Sequence, residues 1–244
     1  MGTRTDNLRL APEQCYRRPR RLIMQPRRVN LLIAKSVMPD VKRARALTKL
    51  SHAQCELGSF EAALGPAQEA VSLYRPVAGA WPEPFLAELA GALDLSSTIQ
   101  GKLGRHEMAL VGAMEAMDIY RGLAKSRPEK HLPRFAMTLN DVAIHLRNLG
   151  RHKEALLLAQ GALEWIWPYY EKTSDVGAIP ELPERVAAMF SVLVELHQDL
   201  GSRLDSIWAQ RFEQVAARTA GESQKRAPIK SVAKRKAPGK KRKS

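Results

Sequence analysis

The sequence predicts an all-α protein, a right-handed solenoid of about four antiparallel helical hairpins with disordered basic termini. The first observation is an internal repeat. A segment starting at Leu57-Gly58 returns at Leu103-Gly104 and at Leu149-Gly150, a step of 46 residues each time, and a looser copy at Leu200-Gly201 follows 51 residues later. The second is a proline just before each predicted first helix, where the missing N–H costs nothing. The third is composition: 45% of the residues are hydrophobic but only 6% are aromatic, which favours close helix packing over a β-sandwich.

The repeated glycines and prolines mark where each predicted element begins and ends along the chain. Residues 1–38 are rich in arginine and show no period, so we predict a mostly disordered segment with a short helix near 29–37. A repeat domain then occupies 39–220, and Asp40 can cap its first helix. Glycine ends each first helix because it adopts the left-handed C-cap conformation cheaply. The pattern predicts a last helix to about 219, a disordered Lys/Arg-rich tail over 221–244, and breaks near 58, 76–84, 104, 126–133, 150, 172–183 and 201.

The net charge of +14 is distributed unevenly. Residues 1–43 contain 11 Lys/Arg and 3 Asp/Glu, and residues 225–244 contain 10 Lys/Arg and no acid. The remaining 18 bases and 22 acids leave the middle of the chain at −4. The repeat domain is therefore mildly acidic, and the high pI belongs to the ends.

Catalytic and metal-binding motifs are absent from the sequence. Its two cysteines, Cys15 and Cys55, have no metal or disulfide spacing, which fits a reducing compartment. The segment Gly101–Gly104 lacks the upstream glycine and the Ser/Thr of a phosphate-binding loop. The six histidines are scattered, and repeat symmetry explains His106 and His152. We therefore expect no enzyme, no cofactor and no metal, and the lack of a long apolar run predicts no membrane span.

The repeat unit resembles the tetratricopeptide repeat, in the long form typical of kinesin-light-chain-like arrays. The resemblance covers residues 40–219 and rests on small and apolar positions at a fixed distance from each turn glycine. The small positions are Ala63, Ala109 and Ala155, then Ala70, Ala116 and Ala162, and the apolar positions are Leu47, Leu93, Leu139 and Phe190. In the fourth unit Ser206 and Glu213 replace the alanines, as expected of a terminal cap.

In this family the first helices of successive units line a concave groove, so the resemblance implies a peptide-binding site. The implied groove residues are Arg45, Thr48, His52, Asp94, Thr98, Lys102, Asn140, Arg147, Asn148, Ser191, Glu195 and Gln198. The side-chain amides of Asn140 and Asn148 could hold a peptide backbone. Arg147 and Lys102 could pair with an acidic ligand. The alternative is that these side chains form simple solvated helix faces.

Two further segments are candidates for binding. Trp165 and Trp167 cannot lie on one helix face, so we expect one to pack against the fourth unit and the other to be exposed, where it could contact a partner. The tail is too basic to fold alone and could attach to nucleic acid, although it could equally serve only solubility. Its candidate nucleic-acid contacts are Lys234, Arg235, Lys236, Lys240, Lys241, Arg242 and Lys243.

The sequence thus predicts a non-enzymatic adaptor that holds a protein or peptide. The first alternative is a nucleic-acid-associated protein that uses its basic tail, and the second is the sensor part of a regulator. We expect a cytoplasmic protein, or a nuclear one in a eukaryote, where the tail could act as a localisation signal.

Overall fold

The computed structural model describes residues 26–172 and 182–226, with side chains described for 37–172 and 182–220. These residues form helices and contain no strand, which confirms the all-α class. The eight helices are α1 (Pro26–Glu56), α2 (Phe60–Ala80), α3 (Pro82–Lys102), α4 (His106–Ser126), α5 (Pro128–Asn148), α6 (His152–Lys172), α7 (Leu182–Asp199) and α8 (Ser206–Arg226).

The chain divides into two compact units, residues 1–39 and residues 40–244. The described part of the first unit is helical. In the second unit each helix from α2 onward packs against the next along the chain, in the order α2, α3, α4, α5, α6, α7 and α8. This consecutive packing of antiparallel helices is that of a helical repeat solenoid, as the period predicts.

Four glycines end the first helices of the hairpins, and all four have the left-handed conformation that the sequence predicts. Their φ angles lie between 61° and 75°, at Gly58, Gly104, Gly150 and Gly201. At Gly104 the glycine N–H donates to the carbonyl of Gly101, and the next N–H, of Arg105, donates to the carbonyl of Gln100 at 2.9 Å. The same pair of hydrogen bonds recurs at the other three turns. This is a Schellman motif, which satisfies the last carbonyls of each first helix.

The prolines end helices less often than the sequence suggests. The helix breaks predicted within 76–84 and 126–133 are present, but the loops are wrong in length, because α2 meets α3 at Trp81 and α4 meets α5 at Arg127. Pro133 and Pro76 lie inside helices. Proline removes only one backbone hydrogen bond there, and packing outweighs that local cost.

Both ends of the repeat domain also extend beyond the predicted helix limits. The start at Asp40 is wrong, since α1 runs from Pro26 through Pro39. The last helix continues past 219 to Arg226, so the start of the predicted tail is helical. Residues 1–25 and 227–244, on which the rest of the two disorder predictions falls, lie outside the described residues.

Alanines at the helix crossings are fully buried, which supports the assigned repeat register. Ala63, Ala109 and Ala155 have no exposed surface, and neither do Ala70, Ala116 and Ala162. In the first two hairpins a buried serine of the first helix donates to the carbonyl of this alanine: Ser51 to Ala63 at 2.9 Å and Ser97 to Ala109 at 2.6 Å. The helix axes approach closely here because no larger side chain separates them.

Aromatic residues close the C-terminal end of the core. Trp167 packs edge-on against Phe190 of α7, with ring centroids 6.2 Å apart, and Trp208 of α8 lies 6.0 Å from the same ring. The guanidinium of Arg211 lies 4.7 Å from the Trp167 ring and 4.9 Å from the Trp208 ring. These contacts attach the atypical fourth hairpin to the array, in the place where a terminal repeat is expected to act as a cap.

Candidate functional site

The first helices of the hairpins lie closer to one another than the second helices do. Cα atoms of α5 lie within 8 Å of Cα atoms of both α3 and α7, and no such approach joins α2 with α4 or α4 with α6 in the described residues. We call the exposed surface of α1, α3, α5 and α7 the first-helix face. All twelve groove residues implied by the resemblance belong to these four helices.

At the junction of α1 and α3, the polar residues of the first-helix face bind one another. Both Nε and Nη2 of Arg45 donate to Glu88 Oε1, at 3.1 and 2.6 Å, and this pairing raises the Arg45 pKa. Thr48 donates to the carbonyl of Ala44 in its own helix at 2.9 Å. His52 is exposed.

At the junction of α5 and α7, Arg147 pairs with two acids. Its Nε donates to Asp199 Oδ2 at 2.6 Å, and its Nη1 forms an ion pair with Glu195. His152 Nδ1 lies 3.4 Å from the same Asp199 oxygen. The hydrogen bond between Arg147 and Asp199 raises the pKa of the guanidinium and lowers the pKa of the carboxyl. Arg147 therefore holds the third and fourth hairpins together. Of the two cations expected to pair with an acidic ligand, only Lys102 has no acidic partner among the described residues.

Three further groove candidates differ in exposure. Asn140 is only 6% exposed, and its Oδ1 is buried without a hydrogen-bond partner among the described residues. A peptide backbone could reach it only after local rearrangement. Ser191 donates to the carbonyl of Ala187 in its own helix, and Gln198 is exposed.

A pair of carboxyl groups joins α3 and α5 at the middle of the first-helix face. The side chains of Asp94 and Asp141 lie within hydrogen-bond reach of each other. Thr138 Oγ1 lies 3.4 Å from Asp94 Oδ1. Burial raises the pKa of both carboxyls, and the negative charge of Asp94 raises that of Asp141 further. Such a pair releases its second proton reluctantly because like charges at short range repel.

A cavity of about 250 Å³ opens beside this pair, between α3, the start of α4 and α5. Three predicted groove residues line it: Thr98, Lys102 and Asn148. All three are exposed, and none makes a side-chain hydrogen bond or ion pair with another described residue. The remaining lining residues are Gly101, His106, Asp141, Ile144 and His145.

His145 is the most buried polar residue of the cavity wall, at 5% exposure. Its Nε2 lies 3.1 Å from Ser97 Oγ, and the Ser97 hydroxyl already donates its single proton to the carbonyl of Ala109. Nε2 must therefore carry the ring proton and donate it, which leaves Nδ1 as a hydrogen-bond acceptor. Nδ1 is buried and has no partner in the described residues. Burial and the nearby His106 lower the His145 pKa to about 4, so the ring stays neutral near pH 7.

Gly101 makes room for this ring. A Cβ added at Gly101 would lie 2.6 Å from His145 Cε1 and 3.2 Å from Nδ1. The equivalent residues of the first and third hairpins are Cys55 and Arg147. Sequence reasoning missed Gly101 and His145 as site residues. The sequence did contain a signal, which is a glycine near the end of a helix where the neighbouring repeats carry a side chain. A glycine inside a helix costs about 1 kcal/mol relative to alanine, so its presence there indicates a packing or functional reason.

Other candidates for chemistry remain without support. Burial raises the pKa of the Cys55 thiol, which makes it a poor nucleophile. The described residues contain no group of three or more metal-binding side chains, and none of their helices could cross a bilayer. The seven candidate tail residues, and Cys15, lie outside the described residues.

The two tryptophans divide as the sequence predicts. Trp167 is buried against the fourth hairpin, whereas Trp165 is 53% exposed and touches Phe135 edge-on at 5.9 Å.

Comparison with solved structures supports the fold. A crystal structure from Podosopora anserina, described as a putative kinesin light chain with nearly identical TPR-like repeats, matches with a TM-score of 0.50 and 16% identity over 81% of this chain and 89% of that one. A singly substituted form of that protein matches with a TM-score of 0.51 and 16% identity over 81% and 88%. BtubC (BKLC) from P. vanneervenii matches over 86% of this chain and 97% of its own, at 17% identity and a TM-score of 0.40. No protein-family model and no curated protein matches the chain. The fold is TPR-like.

Proposed function

We propose that the repeat domain, residues 39–220, is a non-enzymatic scaffold that binds a protein or peptide on the first-helix face. One observation carries this proposal. Arg45 and Arg147 pair with acids across the hairpin junctions, but three polar side chains around the central cavity make no such contact. Thr98, Lys102 and Asn148 have no partner in the described part of the chain and surround a cavity of about 250 Å³. A concave site with a few unpaired polar groups is the usual form of a ligand site.

The experiment compares the full chain with a Thr98→Ala/Asn148→Ala variant. A pull-down followed by mass spectrometry identifies the partner, and titration of the purified partner gives its Kd. We expect the variant to bind about 5- to 150-fold more weakly, because two ligand hydrogen bonds of roughly 0.5–1.5 kcal/mol each are lost.

The control carries Glu164→Ala and Gln68→Ala, which change exposed residues of second helices. Equal Kd values for the original chain and the Thr98→Ala/Asn148→Ala variant, with unchanged helicity, would place the partner elsewhere. The exposed Trp165 is then the next position to substitute.

A second function is nucleic-acid association through the tail, favoured by the 10 Lys/Arg and no acid over residues 225–244. Binding to a DNA duplex should then weaken steeply with salt and show little sequence preference. Each phosphate contact adds about 0.9 to the slope of log K against log salt concentration. Replacing the seven candidate residues by glutamine should flatten that slope, and an unchanged slope would exclude them as the contact. A cytoplasmic location, or a nuclear one in a eukaryote, fits both functions.

A further inference from the structure

The central cavity offers hydrogen-bond acceptors on several sides. His145 Nδ1 is an unpaired acceptor, buried in the cavity wall. The carboxyl of Asp141 lies in the same wall, next to Asp94. The amide oxygen of Asn148 and the hydroxyl of Thr98 can also accept. The side chains in the wall other than Lys102 therefore favour a ligand that donates hydrogen bonds.

The carboxyl pair indicates the charge of that ligand. Two carboxyls in one buried place favour a positive charge between or beside them. The charged groups around the pair are Arg134 of α5 and Arg185 of α7, which lower the pKa of both carboxyls. Tyr120 of α4 also faces the pair, and the charge of Asp94 helps raise its pKa to about 12. These arginines do not prevent the pKa of Asp141 from staying well above its usual value.

We propose that the cavity binds the ammonium or guanidinium group of a basic side chain, so that the ligand of the first-helix face is a Lys/Arg-containing segment. The cation pairs with the Asp141 carboxylate and donates to His145 Nδ1. Because a neighbouring cation lowers the pKa of Asp141, binding favours release of a proton from this carboxyl to solvent. The surplus of acids over residues 44–224, 22 against 18 bases, is complementary to such a ligand. This inference rests on the proposed function and reverses the acidic ligand that the sequence suggested.

The probe is acetylated hexalysine, titrated calorimetrically into the full chain over a series of pH values, because the pKa of Asp141 lies above its usual range. Repeating the titration in buffers with different ionisation enthalpies counts the protons released. We expect measurable binding with proton release, and no binding of hexaglutamate. Absence of hexalysine binding, or binding without proton release, overturns the inference.

Matched variants separate the cavity from general electrostatics. Asp141→Asn removes the acid but keeps the shape, and it should weaken binding roughly tenfold or more and abolish proton release, because a hydrogen bond to a charged group contributes about 1.5–3 kcal/mol. Glu213→Gln removes an exposed acid of α8 and should leave the Kd within about twofold. Equal weakening by both variants would mean that hexalysine binds only to diffuse charge, which refutes the cavity.

Filling the cavity gives an independent test. Gly101→Ala places a methyl group against His145 and should weaken hexalysine binding, whereas Gly122→Ala, with no atom within 4 Å of the added Cβ, should not. Lys102→Ala should strengthen binding, because it removes a cation from the cavity rim. Unchanged binding in Gly101→Ala would refute the site. If hexalysine does not bind but the native partner still requires Thr98 and Asn148, the ligand chemistry is wrong and the scaffold function stands. If hexalysine binds but the native partner does not require Thr98 and Asn148, the basic site stands and the scaffold function is wrong.

Discussion

Replacing the crossing alanines by leucine tests the repeat register directly. Ala63, Ala109 and Ala155 have no exposed surface and occupy equivalent positions in three hairpins. The extra carbons of leucine have no free volume there, so each variant should lose about 1–3 kcal/mol through overpacking. For a domain of this size, 1 kcal/mol shifts the melting temperature by about 2–4 °C. The expected fall is therefore roughly 2–12 °C for each variant.

The assay is thermal unfolding followed by far-UV circular dichroism, and the control is the adjacent residue. Ala62 is exposed, and the equivalent residue of the second hairpin is Met108, which is 54% exposed. Ala62→Leu should change stability by less than about 0.5 kcal/mol. Equal losses for Ala62→Leu and Ala63→Leu, or no loss at any of the three buried sites, would refute the register.

Three further predictions concern the turns and the buried titratable groups. Gly150→Ala should cost about 1–2 kcal/mol in thermal melts, because φ is 75° there. The His145 pKa of about 4 lies below its unfolded value near 6.5, so its stabilising contribution is present above pH 6.5 and is lost as the pH falls from there towards 4. Urea unfolding at pH 7.5 and 4.5 should show about 1–2 kcal/mol of this loss, reduced by solvent screening, and His145→Gln should lack it. The raised pKa of Asp141 has the opposite sign, since its contribution is complete at low pH and is lost as the pH rises through the folded-state pKa. Asp141→Asn should therefore be more stable than the unsubstituted chain at pH 8, and this advantage should vanish in acid.

Elements fixed by local chemistry were predictable from the sequence. A turn glycine at a fixed period requires a left-handed residue, and all four have positive φ. Helix geometry alone places Trp165 and Trp167 on different faces, and the structure shows that Trp165 is the exposed one. The helix limits near Trp81 and Arg127 were not predictable in this way. The first turn of a helix tolerates proline, but in a sequence the same proline also indicates a helix break.

The candidate site was only partly predictable because its side chains depend on contacts between repeats. Counting from the turn glycine selects Thr98 and Asn148, which line the cavity. It also selects Arg147, yet only the packing of α7 on α5 shows that Asp199 and Glu195 occupy it. His145 was missed because its hydrogen-bond partner, Ser97, lies 48 residues away in another hairpin.

The polar contacts of the first-helix face differ at each junction, so the hairpins are not interchangeable although their backbones repeat. Arg45 binds Glu88 at one junction, and Arg147 binds Glu195 and Asp199 at another. Deleting one period, residues 105–150, would preserve the type of turn but place Gly101 where Arg147 stands. The two acids of α7 would then face no cation at that position. The charged contacts between hairpins, and not the helix backbones, therefore fix the order and number of the hairpins.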